Sequence, residues 1–180
     1  VSAGPASAAE PSPRSRFVEL FLHPWLTVRV SIALGLFFIV ASLPKLGDPP
    51  SFAHMIYNYR ILPGVFVNLA ALVMPWTEIL SGMALVLGLW RRSAAALIGV
   101  MLVVFIVAIS FNLARDNAID CGCFDTKSAG KSYEQKIDDM RFVVIRDVGM
   151  LMMVAQILLS TRRRGQGESG AESLAAAGGR

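Results

Sequence analysis

Four apolar blocks constrain this 180-residue chain more than any other feature, each about the length that crosses a bilayer core, roughly 20 residues. Lipid offers no hydrogen-bond partners to a bare backbone, so a spanning segment of this kind closes its own bonds as a helix. The expected fold is therefore all-α, an integral membrane four-helix bundle. The spans are expected at about 25–43, 65–90, 94–113 and 140–160. Charged residues are only 17% of the chain, where a soluble domain carries about 25%. That deficit agrees with a chain dissolved in lipid.

Local chemistry sets the boundaries. Residues 1–15 are rich in Ala, Ser and Pro and are expected to be disordered. Residues 16–23 form a short amphipathic stretch suited to the headgroup plane. The block from Trp25 is too long for a signal peptide, and no small-residue cleavage pattern follows it. Pro44, Gly47, Asp48, Pro49 and Pro50 are expected to end the first span. In the stretch from Ser51 to Leu62, Phe52, Met55, Ile56 and Tyr59 recur at helical spacing. This predicts a short surface helix between spans 1 and 2, outside the cytoplasm. Pro75 should kink the second span. Arg91-Arg92-Ser93 reads as a tight turn with Ser93 as N-cap. The bundle domain thus covers 16–161, and 162–180 reads as a disordered tail.

Four spans place both termini on one side. Lys and Arg number seven on each side, so a plain count does not orient the chain. Those at 14, 16, 91, 92 and 162–164 lie in much shorter segments against helix ends, where the positive-inside bias is strongest. This predicts cytoplasmic termini and an extracytoplasmic loop at 114–139. The net charge of +4 belongs to these edges. No basic run interleaved with aromatics suggests nucleic-acid binding.

Arg29, Glu78, Arg146 and Asp147 fall inside spans, where charge is costly and is usually paired. With span 1 ending at Leu43 and span 2 starting at Gly64, Arg29 and Glu78 lie at equal depth. This predicts an ion pair between them. The four residues form a candidate polar pocket, read first as structural glue and second as a site for a proton, a quinone head or a substrate.

Asp120-Cys121-Gly122-Cys123-Phe124 is the one segment that looks like chemistry. Two cysteines one residue apart can bridge only where the chain bends, which Gly122 permits. A ring so small should be strained, which raises its reduction potential. Cys121 and Cys123 are the candidate catalytic residues, open to thiol–disulfide exchange on the oxidising side of a bacterial cytoplasmic membrane. Lys45, Arg60 and Arg115 are candidates for the cation that would favour a thiolate. A structural disulfide is the competing reading. His54 with the two thiolates as a metal site ranks well below both, and no metal is expected.

These residues resemble the DoxX-like superfamily of four-helix membrane proteins and, within it, the methylamine utilisation protein MauE family. The resemblance rests on Arg29, Gly35, Phe38, Lys45 and Leu46, then Phe52, Tyr59, Arg60, Leu62 and Pro63. It continues through Pro75, Glu78, Gly82, Gly88 and the 120–124 segment. Asp125 stands where the family usually has Gly. The resemblance implies a multi-pass protein that exchanges its C-x-C disulfide with an extracytoplasmic thioredoxin-like partner during maturation of exported proteins. Membrane thiol oxidoreductases of similar layout use quinone through a second cysteine pair, which is lacking here. An accessory or assembly subunit of a larger membrane complex is the alternative expectation, and a small-molecule permease the third.

Overall fold

The computed structural model of the chain describes residues 21, 23–115, 117 and 132–178, with side chains through Arg162. Five helices account for nearly all of them. These are α1 (Pro24–Gly47), α2 (Pro49–Asn58), α3 (Gly64–Leu87), α4 (Arg91–Ala114) and α5 (Tyr133–Gly178). Four of these contain a segment long and apolar enough to cross a membrane: α1, α3, α4 and, within α5, Tyr133–Arg162. The fold is an all-helical, four-span bundle, and the described residues contain no strand. Around the ring, α1 packs on α3, α3 on α4, α4 on α5, and α5 back on α1. The short α2 lies mainly on α3.

The bundle has an apolar core into which a limited set of polar side chains is set, and its outer face is apolar as well. Val65, Leu69, Leu72, Trp76, Leu80 and Leu87 run down one face of α3 at helical spacing and are exposed. The opposite face buries Glu78 and Ser81, and the partner helices bury Thr27, Ser31, Lys45, Asn112 and Asp147. Exposed apolar side chains cost nothing against lipid, so burial is reserved for close packing and polar contact. The tightest approach is between α1 and α3. A Cβ on Gly35 would lie 2.6 Å from the Gly82 carbonyl oxygen, and one on Gly82 would lie 2.8 Å from the Gly35 oxygen. The two backbones touch where neither residue has a side chain.

Several helix ends differ from the sequence expectation. Pro44 does not stop α1, which continues to Gly47. A proline removes only its own N–H from the ladder, and the Asp48 N–H still closes the last turn on the Pro44 oxygen at 3.2 Å. Lys45 consequently falls on the buried stripe of α1, in register with Leu34, Phe38 and Ala41. Asp48 then caps α2, accepting from the Ser51 N–H at 3.2 Å, with Pro49 and Pro50 in the first turn. Ser93 is not an N-cap. The α3–α4 turn closes earlier, through Gly88 (φ 73°) and Trp90 (φ 44°), both left-handed. Gly88 adopts that conformation without a Cβ clash.

Helix α5 starts at Tyr133 rather than about 140, because Ser132 and Gln135 form a capping box. The Ser132 N–H donates to Gln135 Oε1 at 3.1 Å, and the Gln135 N–H donates to Ser132 Oγ at 3.4 Å. Where a disordered tail is expected at 162–180, the helical backbone instead continues to Gly178. Extending a formed helix avoids the cost of nucleating one, and the end of this stretch is rich in Ala.

The Gly35–Gly82 contact makes a direct prediction. Gly35→Val should destabilise the bundle by about 2 kcal/mol or more, since the new side chain meets backbone that cannot yield. Gly47→Ala, with nothing within 4 Å of the added Cβ, should change stability by less than about 0.5 kcal/mol. Thermal unfolding of the purified protein in detergent compares the two.

Candidate functional site

The polar heart of the bundle is built on Lys45. Its Nζ lies 2.6 Å from Glu78 Oε1 and 2.8 Å from Oε2, with the two side chains only 4% and 2% exposed. The α1–α3 register explains the meeting. Measured from the Gly35–Gly82 contact, Lys45 lies roughly ten residues toward the α2 end, and Glu78 roughly four. The remaining six residues are about 9 Å of helix rise. Helical side chains lean toward their own N-terminus, and in antiparallel helices the two therefore lean toward each other. A long lysine and a glutamate close that distance.

Arg29 does not pair with Glu78. It lies about six residues from the same contact in the other direction, which puts some 15 Å of axial rise between the two residues. The equal-depth expectation fails because it counts from helix ends taken to be level, whereas the Gly35–Gly82 contact sets the stagger of the two helices. Arg29 is instead exposed, little more than one turn from the start of α1.

A second ion pair lies across the same cavity. On α5, Arg146 curls back on its neighbour, with Nη2 and Nε 2.8 and 3.1 Å from Asp147 Oδ1. The Arg146 guanidinium also sits 5.3 Å from the centre of the Phe37 ring. Lys45, Glu78, Arg146 and Asp147 together line a cavity of about 30 Å³, closed by aromatic side chains including Phe37 and Phe105. That volume has room for about two water molecules, with polar partners on several sides. Formal charge across the four groups is zero. The arrangement can order three helices about one polar point, and it can hold a small polar species or relay a proton between carboxylates.

Of the expected pocket residues, Glu78, Arg146 and Asp147 share this cavity and Arg29 does not line it. Lys45 takes the place expected of Arg29, so its side chain is committed to Glu78. The signal for it was present in the sequence, in the spacing of Leu34, Phe38, Ala41 and Lys45 on one helical face. The Lys45-Leu46-Gly47-Asp48 segment now reads as one device, an ion-pair partner followed by the cap of α2. Phe52 on α2 and Phe105 on α4 flank the ammonium, their ring centres 5.4 and 5.5 Å from Nζ.

The cysteine segment belongs to the connection between α4 and α5. Asn117 and Ser132, on either side of it, are described; Cys121 and Cys123 themselves lie outside the described residues. Asn112 ties the end of α4 to the α2 end of the bundle, donating from Nδ2 to the Tyr59 oxygen at 3.3 Å. Its Oδ1 accepts from Asn117 Nδ2 at 2.8 Å. Of the other candidate cations, Arg60 is exposed just past α2, and the Arg115 guanidinium lies over the Phe111 ring at 4.9 Å. His54 is exposed, its Nδ1 3.4 Å from Asn58 Nδ2. Among the described residues, no group of three His, Cys, Asp or Glu could hold a metal.

Comparison with known proteins matches residues 23–160 to the family model described as methylamine utilisation protein MauE. The chain is similar to the methylamine utilization protein MauE of Methylorubrum extorquens, with 39% identity over 108 residues, 59% of this chain and 58% of that protein. It is also similar to the proteins of that name from Paracoccus denitrificans, at 33% over 107 residues (59% and 58%), and Methylophilus methylotrophus, at 33% over 101 (56% and 53%). The matched stretch thus spans rather more than half the length of these relatives. No solved structure matches the chain.

The buried pair predicts a definite mutational pattern. Lys45→Met leaves Glu78 unpaired in a low-dielectric interior and should cost about 3–5 kcal/mol. Adding Glu78→Leu should recover most of that loss, while Arg29→Gln should change stability by less than about 0.5 kcal/mol. A double-mutant cycle on denaturant unfolding in mixed micelles measures all of these.

Proposed function

Because the chain belongs to the methylamine utilisation protein MauE family, we propose that it is a multi-pass accessory protein of a methylamine-utilisation system that exchanges disulfides with an extracytoplasmic, thioredoxin-like partner. The observation that carries this reading is the Cys121-Gly122-Cys123 segment, set between two polar stretches on the connection from α4 to α5. The chain's two cysteines are both there. In the exchange, a thiolate on the partner attacks one sulfur of the Cys121–Cys123 disulfide and forms a mixed disulfide. The second partner thiolate resolves it, so one dithiol is oxidised as the other pair is reduced. A polar environment outside the bilayer favours such an anion. In this reading the termini are cytoplasmic and the cysteines face the oxidising compartment, supported by the dense arginines at the opposite helix ends.

The four-charge cavity serves this function as the anchor of the platform. It joins α1, α3 and α5 beneath the end of the bundle from which the cysteine segment departs. A second reading, an assembly subunit with a structural disulfide, draws on the lack of a second cysteine pair to pass electrons onward.

Trapping separates the two. A Cys123→Ser or Cys121→Ser variant expressed in cells should retain a covalent, reductant-sensitive adduct to a thioredoxin-like protein, identifiable by mass spectrometry. The same variants should lower methylamine-dependent growth by at least about tenfold. Full growth of both variants with no adduct overturns the exchange reading and leaves the assembly role.

A further inference from the structure

A second, larger cavity lies beside the charged one. It occupies about 170 Å³ beneath α2, between α2, α3 and α4, and its walls include Phe52, Met55, Met74, Phe105 and Ala108. Its lining is almost wholly apolar. Its rim includes Leu62 and Val104, which are 42% and 54% exposed. Val104 belongs to the flank of α4 that faces lipid, so the cavity is reached from the bilayer. Its size suits one small ring, since apolar cavities of about 150 Å³ take up benzene. Left empty, such a space forfeits packing, and the two methionines in its wall adapt readily to an occupant's shape.

One end of this cavity is not inert. Phe52 and Phe105 form part of its wall, and these are the two rings that flank the Lys45 ammonium. Phe105 also lines the charged cavity, so this side chain is the partition between the two spaces. An ammonium carries three N–H donors. The two contacts to Glu78 engage two of them, and among the described residues no other acceptor reaches the ammonium. A buried donor of this kind rewards an acceptor brought to it, more so because it is charged.

We propose that the cavity beneath α2 is a binding site for a neutral molecule with a single apolar ring, entering from the bilayer, whose edge carries a hydrogen-bond acceptor for Lys45. The ring fills the space between α2 and α4, and a small shift of Phe105 brings its acceptor to the ammonium. Glu78 holds the ammonium in position, so the acceptor meets a fixed donor. This site is independent of the sulfur chemistry and stands whether or not the disulfide exchanges.

The test uses the full chain in nanodiscs and two fluorine-labelled probes of similar size, 4-fluoroacetophenone with a carbonyl acceptor and 4-fluorotoluene without one. Fluorine NMR should show a bound signal for each, competed by excess unlabelled acetophenone, with the ketone bound about tenfold more tightly. Ala108→Phe fills the cavity and should abolish both bound signals. Val104→Trp, at the lipid-facing rim, should weaken both without disturbing the core. Signals unchanged in both variants, or not competed in the wild type, mean that the probes merely partition into lipid and overturn the site. Equal affinity for the two probes overturns the role given to Lys45.

Discussion

A lysine and a glutamate brought together inside lipid constrain the rest of this molecule. Neither charge is stable there alone, and each holds the other in place. Lys45 and Glu78 meet only if α1 and α3 are antiparallel and pressed together at Gly35 and Gly82. The last turn of α1 must also persist beyond Pro44. Each of those conditions is visible as a separate local feature, and together they set the register of half the bundle. Helix α5 then contributes Arg146 and Asp147 to the same cavity, so that α1, α3 and α5 all converge on one polar point. The aromatic rings around it lower the local dielectric, which strengthens each contact and raises the cost of losing one.

This organisation explains the short α2. Asp48, three residues after Lys45, caps it, and Phe52 returns to the ammonium from above. The surface helix is therefore pinned at its start to the buried pair. It roofs the cavity between α3 and α4. The ion pairs, the apolar cavity and the two described ends of the cysteine-bearing connection thus all gather at the α2 end. Membership in the MauE family extends over residues 23–160, which include all of these features.

The sequence told most about elements and least about register. Block length and apolar content determined the number of spans, because a bilayer core has one thickness and helices one rise per residue. Position within the spans also marked Arg29, Glu78, Arg146 and Asp147 as one polar set; three of them line the cavity, and Arg29 is exposed. The capping box at Ser132 and Gln135 was legible too, although a start near 140 passes over it. Pro44 misled because a proline signals a lost hydrogen bond, and whether a helix ends there depends on what packs around the next turn.

What only the tertiary structure decided was which charge meets which. Counting from assumed helix ends makes Arg29 the partner of Glu78, whereas the true register comes from two glycines in backbone contact on different helices. Side-chain lean then carries Lys45 to Glu78 across about two turns of helix, a reach that no spacing along one helix encodes. The cavities are likewise products of packing, the charged one among α1, α3, α4 and α5 and the apolar one among α2, α3 and α4, elements distant in sequence. Chain chemistry alone sufficed to place this protein in a membrane; partner choice inside it required the geometry of helices pressed together.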